Sequence, residues 1–410
     1  MTSHDFIDVG IIGQGYVGLE LAISLSKIDL TVLGFDLDSA RIERILCGDS
    51  PVENVSNEDL NVAIKSNYSA TVDEKLLARC KVIVICVPTP ISKSGAPDIS
   101  FLSKAVNDIS HNISPDTLVI NESTSFPGTL RELIETPIKS KNKDFSESLY
   151  FAVAPERISP GDAVPMRLVS RVVSGTSEVA KKRVTEFYST ICANVLCVET
   201  PEIAELTKLL ENSFRQINIA FINELSLLCK KVGIPILEVI NAAATKPYGF
   251  MPFYPSSGIG GHCIPVDPMY LEYFAEQNGL ELQSIKTAYS LNSIHPEELC
   301  KLVLQQFPNR VGLKILVIGV SYKPGVSDTR ETPATRIVNY LRSLGHVVSW
   351  YDSLVKEWNG ENCADLEGPW DVVIFNSPHP AIDRTAFTSK DSKIFDFGYS
   401  FDSIKNNRSS

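Results

Sequence analysis

Short apolar runs that end in glycine or polar residues recur through the first half of the chain. The run Val9 to Ile12 indicates a buried strand, a helical pattern of apolar residues follows it, and Leu30 to Phe35 indicates a second strand. Further strands are expected within 80–90, 117–124, 149–157 and 171–175, with polar or turn residues at their carboxyl ends. This alternation predicts a doubly wound α/β domain with a parallel sheet, Rossmann-like in architecture.

The polar residues at those strand ends are expected to meet at one edge of the sheet, where ligands bind in open α/β folds. Thr89, Thr124 and Glu156 then line one crevice. Each of them taken alone is equally compatible with a turn residue or a helix cap.

A long helix is expected over residues 201–233, which contain no internal proline and no glycine before the end. Lys208 and Asn212 are four residues apart and share a face of this helix. The helix alone would also allow Lys208 to be a solvated lysine with a buried stem. So much apolar surface calls for a large partner surface, such as a second subunit.

The segment after this helix, 241–268, is dense in proline, glycine and aromatic residues, which indicates a functional loop. From Gly312 onward the order strand, loop, helix, strand, acid returns, so the last third resembles a degenerate copy of the first. Its fingerprint, at 319–323, has lost the glycines of the first copy, and a tight dinucleotide turn is not expected there. Tyr322, Lys323 and Arg330 then contact a different nucleotide, or the domain is purely structural.

The first strand ends in the motif GQGYVG at 13–18, with a strand before it, a helix after it and Asp36 about 20 residues further on. Gly13 permits the tight turn, Gly15 lets a pyrophosphate approach and Gly18 packs helix on strand. Asp36 would accept hydrogen bonds from ribose hydroxyls and repel a 2′-phosphate. The motif therefore predicts NAD, in preference to NADP, and a non-binding turn is the less favoured interpretation.

The composition excludes several classes of protein. The 410 residues suffice for two or three domains, and 44% hydrophobic with 21% charged residues is ordinary for a globular protein. A net charge of −11 argues against a nucleic-acid partner but leaves room for a local basic pocket. We expect a cytoplasmic protein, because neither a signal peptide nor a membrane-spanning run is visible.

Nine cysteines at scattered positions, without a Cys-x-x-Cys, argue against a disulfide framework or a zinc site. Most of them lie in apolar context, as buried cysteines do. Cys263 differs, because it lies in GGHCIPVD at 260–267 with Asp267 four residues on. It is a nucleophile or one more structural thiol.

Seven motifs in order decide between these two, namely GQGYVG, VPTP, ESTSFPGT, APERI, ELTKLLENSFR, GGHCIPVD and SYKPGVSDTRET. Over essentially the whole chain they resemble the UDP-glucose / UDP-N-acetylhexosamine 6-dehydrogenase family. The resemblance implies oxidation of a sugar primary alcohol to a carboxylate with two NAD reduced. It implies that the Cys263 thiolate adds to the aldehyde, and that the thiohemiacetal is oxidised to a thioester, which water hydrolyses.

The resemblance also implies roles for single residues. Lys208 would stabilise developing oxyanions, Asn212 would hydrogen-bond the same end of the sugar, and Thr124 would hold water beside the cofactor. Asp267 with Lys208, or Glu156 as an acid/base, would activate the hydrolytic water, and both alternatives stay open. The implied cofactor-binding residues are Gly13, Gly15, Tyr16, Val17, Gly18, Asp36, Arg41 (adenosine), Thr89, Thr124 and Arg330 (pyrophosphate). The implied substrate-binding residues are Glu156, Arg157, Lys208, Asn212, Phe253, Tyr254, Gly260, Tyr322 and Lys323.

The resemblance implies two Rossmann-like domains joined by a long central helix: an NAD-binding domain at 1–198, a helical dimerisation domain with the cysteine loop at 199–300, and a UDP-sugar-binding domain at 301–410. His262, Val266, the PERI motif and Pro160 are similar to the UDP-N-acetylhexosamine branch, and 246–258 resembles its UDP-N-acetylglucosamine enzymes. The expected partners are a UDP-sugar and a second copy of the chain, with neither nucleic acid nor membrane. UDP-glucose or UDP-N-acetylmannosamine as substrate, a non-catalytic nucleotide-sugar binder and a two-electron hydroxyacid dehydrogenase are the alternatives.

Overall fold

The computed structural model describes residues 6–92, 95–157, 166–261, 263–382, 387 and 392–398, and it divides the chain into two compact units. Unit 1 comprises Met1–Leu210 with Met269–Asn278, and unit 2 comprises Glu211–Pro268 with Gly279–Ser410. His262 and Pro160, which carry part of the branch resemblance, lie outside the described residues.

The structure contains a helix where the sequence has its longest helical pattern of apolar residues. They are α1 (Tyr16–Ser26), α2 (Ser39–Leu46), α3 (Asn57–Lys65), α4 (Ser100–His111), α5 (Thr136–Lys141), α6 (Glu178–Ser189), α7 (Pro201–Val232), α8 (Ile236–Ala244), α9 (Asp267–Gln277), α10 (Gln283–Leu304) and α11 (Pro333–Ser343). Short 3₁₀ and π segments lie at Glu74–Arg79, Leu130–Glu135, Lys143–Ser148 and Met166–Leu168. The predicted long helix is α7, which is confirmed and contains the division between the two units.

Unit 1 is built on one eight-stranded sheet of order β3-β2-β1-β4-β5-β6-β7-β8. Its strands are β1 (Ile7–Ile12), β2 (Val32–Phe35), β3 (Tyr68–Thr71), β4 (Cys80–Ile85), β5 (Leu118–Asn121), β6 (Tyr150–Val153), β7 (Arg171–Gly175) and β8 (Val195–Cys197). Successive residues of β4 enter different apolar clusters: Val84 packs in one, and Ile83 and Ile85 pack in the other. Both faces of the sheet are therefore covered, which explains why its strands are almost wholly apolar.

The predicted α/β fold class is confirmed, with one strand reversed. Strand β7 runs antiparallel to β6, pairing Val153 with Ser174, whereas every other neighbouring pair in this sheet is parallel. The prediction that the carboxyl end of 171–175 faces the ligand edge is wrong, because an apolar run carries no sign of its direction. Continuing the register three residues beyond Val153 brings Glu156 opposite Arg171, the first residue of β7.

Unit 2 contains a four-stranded parallel sheet of order β10-β9-β13-β14 and a two-stranded hairpin. The strands are β9 (Lys314–Ile318), β10 (Val347–Tyr351), β11 (Glu357–Trp358), β12 (Glu361–Asn362), β13 (Val372–Phe375) and β14 (Lys393–Asp396). The predicted degenerate repeat is present as β9, α11 and β10. Helix α8 takes up the start of the segment that the sequence predicts as a loop, and the rest of that segment, up to α9, is irregular where it is described.

The turn after β9 is tight, although it lacks the glycine fingerprint of the first repeat. Gly319 has a φ of +88°, its N–H donates to Tyr351 O at 2.8 Å, and a Cβ on it would lie 2.2 Å from Ser377 O. Gly13 in unit 1 has the same features, with its N–H 2.8 Å from Phe35 O. A single glycine suffices for the turn, so the glycines lost from 319–323 affect only the residues after the turn.

Within the ranges given above, no helix is both long and apolar enough to cross a membrane.

Candidate active site

The glycine motif of unit 1 contains two positions at which the fold requires glycine and one at which the fold leaves room for a side chain. Gly13 has a φ of +94°, and a Cβ there would lie 2.4 Å from Cys86 O. A Cβ on Gly18 would lie 1.9 Å from Gly13 O, so helix α1 could not approach the turn. Around Gly15 no heavy atom of the described residues lies within 4 Å of such a Cβ. Gly15 thus leaves space in front of α1 that a pyrophosphate fits.

The Asp36 carboxylate lies beside this space at the end of β2. It accepts hydrogen bonds from Gln14 N at 2.8 Å and from Arg41 Nη1 at 2.9 Å, and only 8% of the residue is exposed. Tyr16 and Val17 open α1, whose first turn carries no acidic side chain, so its dipole is left to attract an anion. These residues fit a dinucleotide. The structure brings the predicted pair Asp36 and Arg41 into direct contact, which the sequence pattern does not indicate.

The loop that contains Thr124 is held in place by hydrogen bonds to a residue that was not predicted from the sequence. Glu205 on α7 accepts from Gly128 N at 2.8 Å, from Leu130 N at 3.0 Å and from Ser125 Oγ at 3.3 Å. Burial raises the pKa of Glu205 to about 8, against the lowering effect of the three donors. The signal in the sequence was a glutamate three residues before Lys208 on the same helix, amid leucines. Thr89, which follows β4 in the same unit, is buried.

Glu156 lies in a buried ionic cluster. Its Oε2 is 2.6 Å from Arg171 Nη1, and the same nitrogen is 3.8 Å from Oε2 of Glu122. Tyr188 donates its hydroxyl hydrogen to Oε1 of Glu122, and the Arg171 guanidinium lies over the Tyr188 ring. Burial raises the pKa of Glu122 to about 7, opposed by Arg171 and reinforced by Glu156. Glu156 was predicted from the sequence, but the other three members of the cluster were not. Arg171 was missed because the reversal of strand β7 was not foreseen.

Two further predicted residues belong to unit 1. The backbone N–H of Arg157 donates to Oε1 of Glu156 at 2.6 Å, and its Nη1–H donates to Ser170 O at 2.6 Å. The second hydrogen bond fixes the orientation of the Arg157 side chain. Lys208 lies on α7 with 9% of its surface exposed, a low value for a lysine.

In unit 2 the cysteine loop is fixed on both sides of Cys263. A Cβ on either Gly260 or Gly261 would lie 2.8 Å from Tyr322, so only glycine lets the loop approach that tyrosine. On the other side, Cys263 O accepts from Asp267 N at 2.8 Å, where α9 begins. Asp267 is 1% exposed, and its Oδ2 accepts from Asn212 Nδ2 at 2.5 Å. Three predicted residues, Cys263, Asp267 and Asn212, are thus brought together.

The three predicted residues of the second repeat are held by their own loop. Tyr322 N donates to Asp328 O at 3.0 Å, and Ser321 Oγ donates to Lys323 O at 3.0 Å. The Arg330 guanidinium binds the Asp328 carboxylate with Nε–Oδ1 at 2.9 Å and Nη2–Oδ2 at 2.6 Å. The contact of Arg330 with a pyrophosphate stays a prediction.

The aromatic segment before the cysteine loop contains Phe253 and Tyr254. Phe253 packs edge-on against the ring of Phe214 on α7, with centroids 5.7 Å apart, while Tyr254 is exposed. The structure thus makes Phe253 partly a packing residue.

A cavity with a volume of about 460 Å³ lies wholly within unit 2. The residues that line it come from α10, from the start of α11 and from the flanks of the cysteine loop, and include Tyr289, Asn292, Glu331, Thr335 and Arg336. None of the predicted site residues is among its lining residues in the described part of unit 2. Across the described ranges, no group of three or more His, Cys, Asp or Glu side chains could hold a metal ion.

The matches to known proteins cover nearly the full length of this chain. Residues 7–192, 202–293 and 316–402 match, in turn, the NAD binding, central and UDP binding domains of the UDP-glucose/GDP-mannose dehydrogenase family. A UDP-N-acetyl-D-glucosamine 6-dehydrogenase of Pseudomonas aeruginosa is 34% identical over 356 residues, which is 85% of this chain and 83% of that protein. A UDP-N-acetyl-D-mannosamine dehydrogenase of Pyrococcus horikoshii is 31% identical, covering 91% of this chain and 89% of that protein. A solved structure of a UDP-D-ManNAc dehydrogenase from Pyrococcus horikoshii has a TM-score of 0.85 at 28% identity, over 96% of this chain and 95% of that one.

Proposed function

The chain belongs to the UDP-glucose/GDP-mannose dehydrogenase family of NAD-dependent enzymes, and we propose that it oxidises C6 of a UDP-N-acetylhexosamine to the carboxylate. UDP-N-acetylglucosamine is the favoured substrate. The oxidation removes four electrons and reduces two NAD for each sugar.

The observation that carries the proposal is the set Cys263, Asp267 and Asn212 in unit 2. A thiol that only fills a core needs neither a glycine turn before it nor a buried carboxylate four residues after it. Here the backbone of Cys263 is fixed at both sides, and the Asp267 carboxylate is oriented by the Asn212 amide. This arrangement supports a nucleophile that must form and release a covalent adduct.

Each residue then has one task. NAD held by Gly13, Gly15 and Asp36 would supply the acceptor for the hydride that leaves C6. The Cys263 thiolate adds to the resulting aldehyde, and the thiohemiacetal loses a second hydride to give a thioester. Lys208 stabilises the negative charge on the sugar oxygen in each addition, and Asn212 donates a hydrogen bond to the same end. Water hydrolyses the thioester, with its proton taken by Glu156 or by Asp267.

The sugar is the finer part of the proposal. The relative named for UDP-N-acetyl-D-glucosamine and the relative named for UDP-N-acetyl-D-mannosamine are similar in identity, at 34% and 31%. The segment 246–258 favours the glucosamine substrate on the resemblance stated above. The mannosamine substrate, which differs in configuration at one carbon, is the second candidate, and the two relatives support it almost equally.

We also propose the division into domains at 1–198, 199–300 and 301–410, and a homodimer or larger homo-oligomer that uses α7. Large apolar side chains stay exposed along the whole of this helix, a pattern that supports contact with a second copy. They are Ile203, Leu206, Leu210, Phe214, Phe221, Leu228 and Val232.

The test is NADH formation by the purified protein with UDP-N-acetylglucosamine, UDP-N-acetylmannosamine, UDP-glucose and UDP-galactose offered separately, with NADH counted per sugar consumed. Two NADH per UDP-N-acetylglucosamine is the expected result. Turnover with only another of these sugars would keep the four-electron route and overturn the choice of sugar. One NADH per sugar would overturn the covalent route.

Two cysteine variants separate catalysis from binding. Cys263→Ser is expected to abolish acid formation while NAD binding survives, and Cys197→Ser, which changes an exposed thiol on the edge strand β8, is the matched control with unchanged turnover. Binding of UDP-sugars without turnover by the unmodified protein would favour the non-catalytic nucleotide-sugar binder.

A further inference from the structure

The backbone of Ser256, in the segment before the cysteine loop, is held from both sides by buried side chains of two helices. Its N–H donates to Oδ1 of Asn223 on α7 at 2.9 Å, and its carbonyl oxygen lies 3.0 Å from Nε2 of His295 on α10. Asn223 is 1% exposed and His295 is 3% exposed. These three residues form the Ser256 clamp, which lies wholly within unit 2.

Packing alone does not explain an amide at position 223. Nδ2 of Asn223 has no hydrogen-bond partner among the described residues. A buried amide nitrogen without a partner is unfavourable, and a leucine of similar shape would avoid that cost. The bond from Ser256 N to Oδ1 is the interaction that accounts for this amide.

The hydrogen on the His295 ring is located by its partner. A carbonyl oxygen can only accept, so Nε2 carries the hydrogen and donates it to Ser256 O. Burial lowers the pKa of His295 to about 4, against the raising effect of this hydrogen bond. The ring is therefore neutral at neutral pH, and its single N–H bonds to Ser256.

The Ser256 side chain extends this restraint along the chain toward the cysteine loop. Ser256 Oγ donates to Gly258 O at 2.8 Å and accepts from Gly258 N at 3.3 Å. A Cβ on Gly258 would lie 3.2 Å from Cγ of Pro333 and 3.3 Å from Cγ of Pro296. Gly258 therefore packs closely against α10 and the start of α11.

The clamp lies between two groups of residues that are assigned to the site. Phe253 and Tyr254 precede it, and the ring of Phe253 also packs against Phe214. Gly260 and Cys263 follow it. The clamp thus determines where the chain passes from the segment proposed to contact the sugar to the segment that contains the nucleophile.

We propose that His295 and Asn223 are positioning residues for Cys263, which hold Ser256 and through it fix the cysteine loop so that the thiol can reach the sugar carbon. They act through the loop and are not catalytic residues. This inference rests on the proposed function, in which the Cys263 thiolate adds to the aldehyde. In that step the sulfur supplies the electron pair of the new C–S bond, and the carbonyl π pair moves to the oxygen. No proton or hydride comes from the clamp.

Filling of core space is the alternative role for a buried histidine, and two substitutions at His295 separate the two roles. Phenylalanine keeps a ring in the same place but has no N–H, whereas glutamine keeps an N–H donor and loses the ring. His295→Phe is expected to lower kcat by about tenfold or more, because a small misplacement of a reacting group slows the reaction strongly. His295→Gln is expected to retain kcat. KM for the UDP-sugar is expected to stay unchanged in both, since Phe253 is also held by Phe214.

His346→Phe is the matched control. His346 is a second buried histidine of unit 2, and its Nδ1 accepts from Leu313 N at 3.3 Å. This variant loses a histidine-to-backbone hydrogen bond outside the clamp, and its kcat is expected to equal that of the wild type. Tryptophan fluorescence reports whether each variant is folded, since all three tryptophans lie in unit 2. Asn223→Leu removes the acceptor on the other side of Ser256 and is expected to lower kcat as His295→Phe does, which keeps the test valid if the His295 variants do not fold.

Hydrogen exchange of residues 256–261 observes the clamp without substrate. The amide of Gly258 bonds to Ser256 Oγ, and the amide of Gly261 bonds to Arg330 O at 3.0 Å. Both amides are expected to exchange about tenfold faster in His295→Phe than in the wild type, because the loop opens more often once the clamp is broken. In His346→Phe they are expected to exchange at the rate of the wild type.

The outcomes separate this inference from the proposed function. An unchanged kcat in His295→Phe or in Asn223→Leu, or a larger loss in His295→Gln than in His295→Phe, would overturn the inference and leave the proposed function standing. A lower kcat with unchanged exchange would also overturn it, because the effect would not pass through the loop. Faster exchange in His295→Phe, with no turnover of any UDP-sugar by the wild type, would keep the hold of His295 on the loop and overturn the proposed function.

Discussion

Replacing Glu205 by glutamine is expected to change how the stability of unit 1 depends on pH. The carboxyl group is 1% exposed and holds the loop at 125–130 through Gly128 N, Leu130 N and Ser125 Oγ. Burial raises its pKa from 4.5 to about 8. The folded protein therefore keeps a proton that the unfolded chain releases.

The size of the effect can be calculated from this difference in pKa. Below pH 4.5 both states carry the proton, and the stabilising contribution is complete. As the pH rises to about 8, unfolding is favoured by 1.36 kcal/mol for each pH unit, so the free energy of unfolding falls by about 5 kcal/mol in total. Glu205→Gln removes this dependence. Because the amide NH₂ of the glutamine faces backbone donors, the free energy of unfolding of the variant is expected to be about 1–3 kcal/mol lower than that of the wild type at low pH. Above pH 8 the variant is expected to be the more stable protein.

Hydrogen exchange of the peptide 125–135, corrected for intrinsic rates, is the local assay, because the amides of Gly128 and Leu130 bond directly to Glu205. A global melt is less suitable, since a chain of two units need not unfold in one step. The three tryptophans, Trp350, Trp358 and Trp370, all lie in unit 2. Urea unfolding followed by their fluorescence is the internal control and is expected to be the same in both proteins.

The opposite sign would refute the reasoning. If protection of these amides in the wild type rose with pH relative to the variant, the ionised carboxylate would be the favoured form. The three donors would then outweigh the loss of hydration, and the pKa of Glu205 would lie below its ordinary value.

Three further predictions concern the candidate site. Gly13→Ala is expected to destabilise unit 1 by more than about 1–2 kcal/mol, because the φ of Gly13 is in the left-handed region. Gly15→Ala is expected to keep the melting temperature and to weaken NAD binding. Thermal shift with and without NAD measures both effects. Asp36→Asn keeps the shape of the carboxylate but removes the nearer of the two acidic partners of Arg41. The kcat/KM preference for NAD over NADP is therefore expected to fall by about tenfold or more. Asn212→Ala leaves the buried Asp267 carboxylate short of one donor, and kcat is expected to fall by about tenfold or more, with NAD affinity measured by fluorescence titration unchanged.

Local features account for the parts of the structure that the sequence predicted well. The turn at Gly13 depends on one residue type that no other can replace, and α7 depends on a long apolar period without breakers. Both signals lie within a few residues of the structure that they determine. The cysteine loop could be predicted for the same reason, since its glycines, its thiol and Asp267 are contiguous in the chain.

Long-range contacts account for the parts that were missed. The other members of the ionic cluster around Glu156 come from three separate elements, and only the direction of β7 brings Arg171 among them. The role of Glu205 depends on a loop about 80 residues earlier in the chain, from which Ser125 is its partner. The tight backbone at Gly319 was not predicted, because the glycines of the fingerprint were weighed together, whereas the turn itself requires only the first.

The reversal of β7 also affects how this protein tolerates insertions in its sequence. Arg171 is held opposite Glu156 by the pairing of β6 with β7. A single insertion inside β7 would therefore turn Arg171 to the other face of the sheet and break the ion pair. The number of residues in this five-residue strand is thus not free to change, because it decides on which face of the sheet the guanidinium lies.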